Sequence, residues 1–345
     1  MWHCTKCGNE IKGGLVFVTG ISGSGVEEHL RKVVEEAHRC GHPVEIFDIG
    51  KLMYEFALKD DPEVNWNMIL NADEKTRRLL RMIAFKDLSS KMKENPETLY
   101  IVDLHLSFRW KPFLTKGFEP HILKEFLPWV RCFINIVEDI DKVQVSLSDT
   151  AWGKRKTLEL LIWRDEELFF TDILANMCDR INSFVIAAGE PPLMLEKIIW
   201  HPEVKKIYLS FPITHILDDP EAKREIISFR DKLREKLVVF DPYASKDYDD
   251  TYKKPEMKAI REEVGEVTKD RDFRFIDQAD AVVVYFPKKV PSKGVDAEMN
   301  HARLNGKPIF LYSPEDIGGG PFSVPPDHTR SDKKEYLDLV FNKLC

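Results

Sequence analysis

Short apolar runs alternate with helical patterns along this chain, and the alternation occurs twice in series. The first series extends from a run at 15–18 to one at 184–188, and the second from 207–211 to 308–312. Short buried strands that alternate with helices form parallel sheets. We therefore expect an α/β protein with two parallel-sheet domains, at 13–190 and 205–345, joined by a linker at 191–204. A length of 345 residues agrees with about two domains.

The composition excludes several classes of protein. The chain has 51 Lys and Arg against 58 Asp and Glu, which disfavours a general nucleic-acid binder because such proteins need a basic face. No run approaches the ~18 uncharged apolar residues of a membrane span. Six cysteines are too few for a disulfide scaffold. The N-terminus shows no signal-peptide pattern, so we expect a soluble cytoplasmic protein.

A glycine-rich loop follows the first apolar run, with Gly20, Gly23 and Gly25 at the spacing of a phosphate-binding loop. Backbone N–H groups and the following helix dipole make such a loop an anion cradle. The next two positions should be Lys and Ser or Thr, but they are Val26 and Glu27. A carboxylate there disfavours a triphosphate unless a cation intervenes. From the loop alone, a turn that binds nothing is an open alternative.

Two further strings accompany the loop: Phe-Asp-Ile-Gly-Lys-Leu-Met-Tyr-Glu-Phe-Ala at 47–57 and Ile-Val-Asp-Leu-His at 101–105. With them, residues 13–190 resemble archaeal adenylate kinase, a P-loop kinase family that also lacks the Walker lysine. The family keeps hydroxyl residues where this chain has Glu27 and Glu28, which puts Mg²⁺ binding and catalysis in question. The resemblance implies ATP with Mg²⁺ as cofactor.

The resemblance also implies positions for the nucleotide-binding residues. Asp103 and His105 would lie on the nucleoside-monophosphate side, Arg109 would hold a phosphate, and Arg155 and Arg164 would be lid cations. For the two lid arginines, ordinary ion pairing is an equal alternative. The predicted nucleotide-binding set is Gly20, Ser22, Gly23, Ser24, Gly25, Asp103, His105, Arg109, Arg155 and Arg164.

Two short motifs could together hold zinc. Cys4-Thr-Lys-Cys7 is half of a zinc site, and the second half could be His38-Arg-Cys40-Gly-His42. In a parallel α/β unit the first strand begins at the edge where the first helix ends, so the two motifs should lie close together. The predicted ligands are Cys4, Cys7 and Cys40 with His42 or His38. The alternatives are a free arm at 1–12 or a site completed by another chain.

In the second domain, a helix is predicted just after Gly294, and its first turn should face the cleft at the carboxyl edge of the sheet. Ser292 and the nearby backbone can hold an anion there. Glu298, one turn later, can present a carboxylate that attacks an anomeric carbon and forms a glycosyl ester. The alternative is an ordinary surface glutamate.

The string Pro-Ser-x-Gly-Val-x-x-Glu at 291–298 carries a second resemblance. Residues 205–315 resemble the nucleoside 2-deoxyribosyltransferase family, and more closely the branch that hydrolyses the N-glycosidic bond of 2′-deoxynucleoside 5′-monophosphates. This implies a flavodoxin-like fold and a pocket completed by a neighbouring subunit, hence at least a homodimer.

The match implies that Glu298 is the nucleophile and that Tyr208 orients it. Asp272 would act as acid/base or hold the base, and Ser292 would contact the phosphate or sugar. Arg271 could pair with Asp272 or with a phosphate, and Gly294 belongs to the same substrate-binding turn. The chain departs from the family in the loop at 210–215, which lacks glycine, and in a longer segment with Lys288 and Lys289.

The sequence therefore predicts a two-domain enzyme of nucleotide metabolism that acts on small nucleotides or nucleosides. The second domain would cleave or transfer at the N-glycosidic bond, and the first would bind a nucleotide and could phosphorylate one. The alternatives are a nucleoside-monophosphate kinase with an accessory domain and a nucleotide sensor without catalysis.

Overall fold

The structure is a computed structural model that describes residues 2–3, 10–11, 13–109, 114–150, 155–177, 182–216, 219–245, 255–315 and 324–345. The chain divides into two compact units, Met1–Ile199 (unit 1) and Trp200–Cys345 (unit 2). The segment predicted as a linker contains a helix, α8, at Pro192–Trp200. Among the described residues, no helix combines the length and apolar character that a membrane crossing requires.

Unit 1 alternates strands and helices as the apolar runs indicate. Its strands are β1 (Trp2–His3), β2 (Glu10–Ile11), β3 (Gly14–Thr19), β4 (Val44–Asp48), β5 (Leu99–Asp103), β6 (Ser107–Phe108), β7 (Thr115–Lys116), β8 (Val130–Val137) and β9 (Asn182–Ala187). Its helices are α1 (Val26–Arg39), α2 (Ile49–Asp60), α3 (Trp66–Asn71), α4 (Glu74–Glu94), α5 (Pro120–Phe126), α6 (Ile140–Leu147), α7 (Thr157–Asn176) and α8.

The main sheet of unit 1 has the described strand order β4-β5-β3-β8-β9, with every pair parallel. Consecutive residues of β3 are buried, because helices cover both faces of the sheet. Phe17 on β3 stacks on Phe133 of β8 with ring centroids 5.4 Å apart. The glycine loop begins where β3 ends, so it lies at the carboxyl edge of this sheet.

Unit 2 repeats the pattern with fewer residues. Its strands are β10 (Lys206–Ser210), β11 (Val238–Phe240), β12 (Ala281–Tyr285), β13 (Ile309–Tyr312) and β14 (His328–Arg330). Its helices are α9 (Ile213–Ile216), α10 (Pro220–Lys236), α11 (Arg261–Asp277), α12 (Lys293–Leu304) and α13 (Lys333–Leu344).

The described strand order of the unit 2 sheet is β11-β10-β12-β13-β14, again all parallel. This is the flavodoxin-like order 2-1-3-4-5, in which ligands bind at the carboxyl edge beside the first strand. Ile207 and Leu209 of β10 pack into the core with Phe229 of α10 and Tyr336 of α13. The alternate residues of β10 therefore face the other side of the sheet.

The expectation of two parallel-sheet α/β units in series is confirmed. Several elements differ in detail. The sequence pattern predicts one helix over 255–278, and this segment begins as a 3₁₀ turn at Pro255–Ile260 and becomes α-helical at Arg261. Helices α5 and α6 and strand β14 were not predicted, because each is short.

Candidate functional site

The carboxyl group of Glu298 is held at both oxygens by residues of β10. The Tyr208 hydroxyl donates a hydrogen bond to Oε1 at 2.8 Å, and the Ser210 hydroxyl donates one to Oε2 at 2.5 Å. Tyr208 and Ser210 lie two positions apart on one strand, so both side chains project from the same face. Both residues are fully buried. The strand thus fixes the direction of the carboxyl group.

Burial is the main cause that raises the pKa of Glu298 to about 8, and the negative charge of Asp272 adds to it. The hydrogen bonds from Ser210 and Tyr208 act in the opposite direction. Burial and the charge of Glu298 raise the pKa of Tyr208, so the phenol keeps its proton and stays a donor. At neutral pH the Glu298 carboxyl mostly carries a proton, as an acid kept out of water does.

Asp272 and Arg271 lie next to each other on α11 and form an ion pair. Arg271 donates from Nη2 to Oδ1 of Asp272 at 2.9 Å and from Nε to the same oxygen at 3.2 Å. Its Nη1 donates to the hydroxyl of Ser245 at 2.7 Å. Arg271 is buried. Of the two roles left open for Arg271, the structure shows the pairing with Asp272.

Ser292 caps the N-terminus of α12, where its hydroxyl accepts a hydrogen bond from the Val295 N–H at 3.3 Å. Gly294 lies in the first turn, and a side chain there would meet only the Ser292 hydroxyl, at 3.9 Å. Lys288, in the longer preceding segment, pairs with Asp219 at 2.7 Å. This ion pair places the Lys288 ammonium at the cap of α10.

A cavity of about 580 Å³ brings the predicted residues of unit 2 together. Its volume lies in the range of small-molecule sites. The predicted residues on its wall are Arg271, Asp272, Ser292, Gly294 and Glu298. Tyr208 lies behind this wall, where its hydroxyl donates to Glu298. Phe211 and Tyr243 add an aromatic part to the wall. The sequence interpretation did not single out Ser210, although its spacing from Tyr208 was the available signal.

The glycine loop of unit 1 has the backbone of an anion cradle. A Cβ at Gly20 would lie 2.6 Å from the Ser24 hydroxyl and 2.7 Å from the Ile136 carbonyl oxygen, so only glycine fits. Gly23 and Gly25 adopt left-handed φ values of 86° and 76°. Gly25 is the N-cap of α1, and Ser22 and Ser24 lie within the same turn. The backbone at Gly20, Gly23 and Gly25 therefore needs glycine, as the loop spacing predicts.

Carboxyl groups surround this cradle. Burial, followed by the charges of Asp48, Glu27 and Glu167, raises the pKa of Asp103 to about 8. Burial also raises the pKa of Glu167 to about 7. The Nδ1 atom of His105 lies 2.6 Å from the Gly20 carbonyl oxygen, and burial lowers the pKa of His105. A neutral His105 that donates from Nδ1 therefore stabilises the start of the loop through the Gly20 carbonyl group.

Glu167 joins three segments beneath the loop. Its carboxyl group accepts hydrogen bonds from the Leu106 N–H at 2.6 Å and the Ser107 N–H at 2.8 Å, after β5. The Thr19 hydroxyl at the end of β3 donates to it as well. The sequence interpretation did not single out Glu167, because its partners lie 60, 61 and 148 residues away in the chain.

The predicted arginines of unit 1 have protein partners. Arg109 forms a two-pronged ion pair with Glu166, with Nε 2.5 Å from Oε2. Arg155 donates to the Arg109 carbonyl and pairs with Glu159 at 3.3 Å. Arg164 is buried and donates to the Glu138 carbonyl at 3.3 Å. Phosphate binding by Arg109 would require exchange of Glu166 for the ligand.

The predicted metal ligands are only partly described. Cys4 and Cys7 lie outside the described residues. Cys40 and His42 lie close together with Glu196 of α8, and one ligand atom of each lies within 4.8 Å of the others. His38 instead contacts the Val44 carbonyl oxygen through Nε2, at 3.1 Å. Of the two histidines, His42 is the one beside Cys40.

Unit 1 also has a larger groove, of about 940 Å³, that is lined by Gly14, Trp129 and neighbouring residues. It opens at the amino end of β3, away from the glycine loop. None of the predicted site residues lines it.

No family model matches the chain. Three solved structures to which it is similar are kinases: a sugar kinase from Janibacter sp. HTCC2649, a shikimate kinase from Bacteroides thetaiotaomicron and a gluconokinase from Sinorhizobium meliloti 1021. The sequence identities are 16%, 12% and 10%, with TM-scores of 0.30, 0.31 and 0.30. The matches cover 55%, 51% and 55% of this chain and 94%, 86% and 91% of those chains.

Proposed function

We propose that unit 2 cleaves, or transfers at, the N-glycosidic bond of a nucleoside or deoxynucleoside 5′-monophosphate. The observation that carries the proposal is the Glu298 carboxyl group. Tyr208 and Ser210 hold it at the wall of a cavity that also contains Asp272 and Ser292. An ordinary surface glutamate would be solvent-exposed, whereas Glu298 accepts hydrogen bonds from two buried hydroxyl groups and lines a cavity.

The chemistry follows from this arrangement. The ionised Glu298 attacks C1′ of the sugar, the C1′–N bond breaks, and its electron pair leaves with the base. The base takes a proton from water, and Asp272 is the side chain that would orient that water or hold the base. The resulting glycosyl ester is then attacked at C1′ by water or by a second base, and Glu298 is released as a carboxylate. The first acceptor gives hydrolysis and the second gives base exchange.

The N-terminus of α12 supplies the proposed phosphate site. Helix N-termini attract anions through their exposed N–H groups and dipole. Ser292 caps this terminus, and its hydroxyl proton can still be donated to a phosphate oxygen. The aromatic wall of Phe211 and Tyr243 suits a flat base. By resemblance, a second subunit would complete the pocket.

We propose further that unit 1 binds a nucleotide at the glycine loop with little or no phosphoryl transfer. The fit of this site to ATP and Mg²⁺ is mixed. The loop backbone suits a phosphate, but Val26 supplies no cation and Asp48, Asp103 and Glu27 crowd the site with carboxyl groups. A bound Mg²⁺ would have to offset their charge, and Asp48 and Asp103 are the side chains that would face it. A nucleotide sensor is the second candidate for this unit.

The experiment that tests the glycosyl proposal detects free base. The full-length protein is incubated with a panel of nucleosides and nucleotides, and the products are separated by chromatography. Glu298→Ala should lower the rate of base release by several orders of magnitude, since binding alone does not replace a nucleophile. Glu263→Ala, which removes an exposed glutamate of α11, is the matched control and should leave the rate unchanged.

Two results would contradict the proposal. One is base release by Glu298→Ala at the rate of the unmodified protein. The other is the absence of free base with every member of a broad panel, which would favour the sensor hypothesis. A second run with ATP measures phosphoryl transfer independently.

A further inference from the structure

We propose that Cys40, His42 and Glu196 bind a zinc ion in unit 1. One ligand atom from each side chain lies within 4.8 Å of the other two. The three residues are only 7%, 2% and 4% exposed. A thiol, an imidazole and a carboxyl group therefore meet in a place that water hardly reaches. The sequence motifs indicated Cys40 and His42, whereas Glu196 comes from a helix more than 150 residues later and emerges only from the structure.

The turn after α1 places the first two ligands. Helix α1 ends at Arg39, and Gly41 adopts a left-handed φ of 81°. The Gly41 N–H donates to the His38 carbonyl at 2.9 Å, and the His42 N–H donates to the Ala37 carbonyl at 2.9 Å. These two bonds are the signature of a Schellman cap, a helix ending that favours glycine at the left-handed position. Cys40 and His42 thus flank a fixed turn.

The charges of the three groups balance a zinc ion. A thiolate and a carboxylate carry two negative charges, a neutral imidazole carries none, and Zn²⁺ brings the total to zero. Buried ionised groups are costly unless paired or bound to a metal. The thiolate favours zinc over magnesium or calcium, which prefer oxygen ligands. The donor set is therefore one that zinc accepts in proteins.

The distances allow an ion with small side-chain movements. The Nε2 atom of His42 lies 3.8 Å from Oε1 of Glu196. Zinc bonds of about 2.0–2.2 Å at a tetrahedral angle put such a pair about 3.4 Å apart. A shift of about half an ångström closes the difference. The competing interpretation is a metal-free ion pair between a protonated His42 and Glu196, in which Cys40 has no part.

The location indicates a structural zinc. The glycine loop lies at the carboxyl edge of the unit 1 sheet, whereas the α1–β4 turn lies at the amino edge. A metal there would fasten α8 to this turn, because Glu196 is on α8. Zinc takes four ligands, so three protein ligands leave one coordination position for water or another donor.

The test uses untagged, full-length protein prepared from zinc-containing medium without chelators. Metal analysis should find about one zinc per chain, and X-ray absorption at the zinc edge should show sulfur together with nitrogen or oxygen neighbours. Cys40→Ser and Glu196→Gln should each weaken zinc binding at least about tenfold in a chelator competition, since even outer-shell changes cost about 10–100-fold. Cys132→Ala, at a buried cysteine of β8, is the control and should bind zinc like the unmodified protein.

Absence of zinc from the unmodified protein would overturn the proposal. An all-sulfur environment in the absorption spectrum would also overturn it, and that measurement does not depend on any variant folding. Unchanged zinc affinity in both folded variants would favour the metal-free ion pair. None of these outcomes depends on the glycosyl chemistry proposed for unit 2.

Discussion

Base release by unit 2 should depend steeply on pH, because Glu298 must lose its proton before it attacks C1′. With a pKa of about 8, the ionised fraction is about a tenth at pH 7 and about a hundredth at pH 6. The value of kcat/KM, which reports the free enzyme, should therefore fall about tenfold per pH unit below pH 7. It should level off above about pH 8.5.

Two variants should move the acid limb of the pH profile, the part in which kcat/KM falls with decreasing pH, in opposite directions. Asp272→Asn removes the negative charge that helps to raise the pKa of Glu298, so the limb should move to lower pH. Ser210→Ala removes a hydrogen bond that lowers this pKa, so the limb should move to higher pH. A hydrogen bond to a charged group contributes about 1.5 kcal/mol, which corresponds to a shift of about one pH unit.

The same proton affects stability, and the sign follows from the raised pKa. The folded protein keeps the Glu298 proton up to about pH 8, whereas the unfolded chain loses it near pH 4.5. The free energy of unfolding should therefore decrease as pH rises between these values, by on the order of 4 kcal/mol. Glu298→Gln should remove this decrease, which denaturant titrations at pH 5 and pH 8 would measure.

The assay is chromatographic measurement of free base from pH 5 to pH 9.5. A nucleoside without phosphate serves as a second substrate, because a phosphate group itself titrates near pH 6. Glu263→Ala is again the control variant, since it removes an exposed glutamate of α11 and should leave the pH profile in place. Acid limbs that stay in place, or that move together in the Asp272 and Ser210 variants, would refute the reasoning.

Three further predictions concern other parts of the molecule. Ser292→Ala should raise KM for phosphorylated substrates more than for nucleosides, as steady-state kinetics on matched pairs would show; an equal effect on both would argue against a phosphate at α12. ATP turnover should be weak, and Val26→Lys combined with Glu27→Thr should strengthen triphosphate binding in calorimetry by adding a cation and removing a carboxylate. Efficient Mg²⁺-dependent ATP turnover by the unmodified chain would show that Glu27 does not impede phosphoryl transfer. Light scattering should give at least a homodimer, and a fully active monomer would contradict the shared pocket.

The alternation of strands and helices was predictable because the central strands are apolar along their whole length. The bounds of α10 at Pro220–Lys236 and of β12 at Ala281–Tyr285 agree with the sequence patterns. For α10 the reason is local, since Asp219 caps it and Pro220 opens it. Strand β14 was missed because its three residues are His, Thr and Arg, which show no apolar pattern.

The site was predictable where one motif contains its residues and not where distant segments meet. Ser292 and Glu298 belong to one string on one helix. Arg109 forms an ion pair with Glu166, which is 57 residues away in the chain, and no local sequence pattern indicates that pair. Ser210 lay at the overlap of the predicted strand 207–211 and the loop that departs from the family, and only the structure shows that its hydroxyl reaches Glu298.

Strand β10 has a consequence for how unit 2 folds. Its odd-numbered residues, Ile207 and Leu209, pack in the core, while Tyr208 and Ser210 donate hydrogen bonds to Glu298. A pairing error of one residue would exchange the two faces. The Glu298 carboxyl would then face aliphatic side chains without a donor, and two hydroxyl groups would enter the core. A misaligned strand would therefore leave polar groups without hydrogen-bond partners on both faces of the sheet. The residues proposed to hold Glu298 thus also favour the correct register of β10.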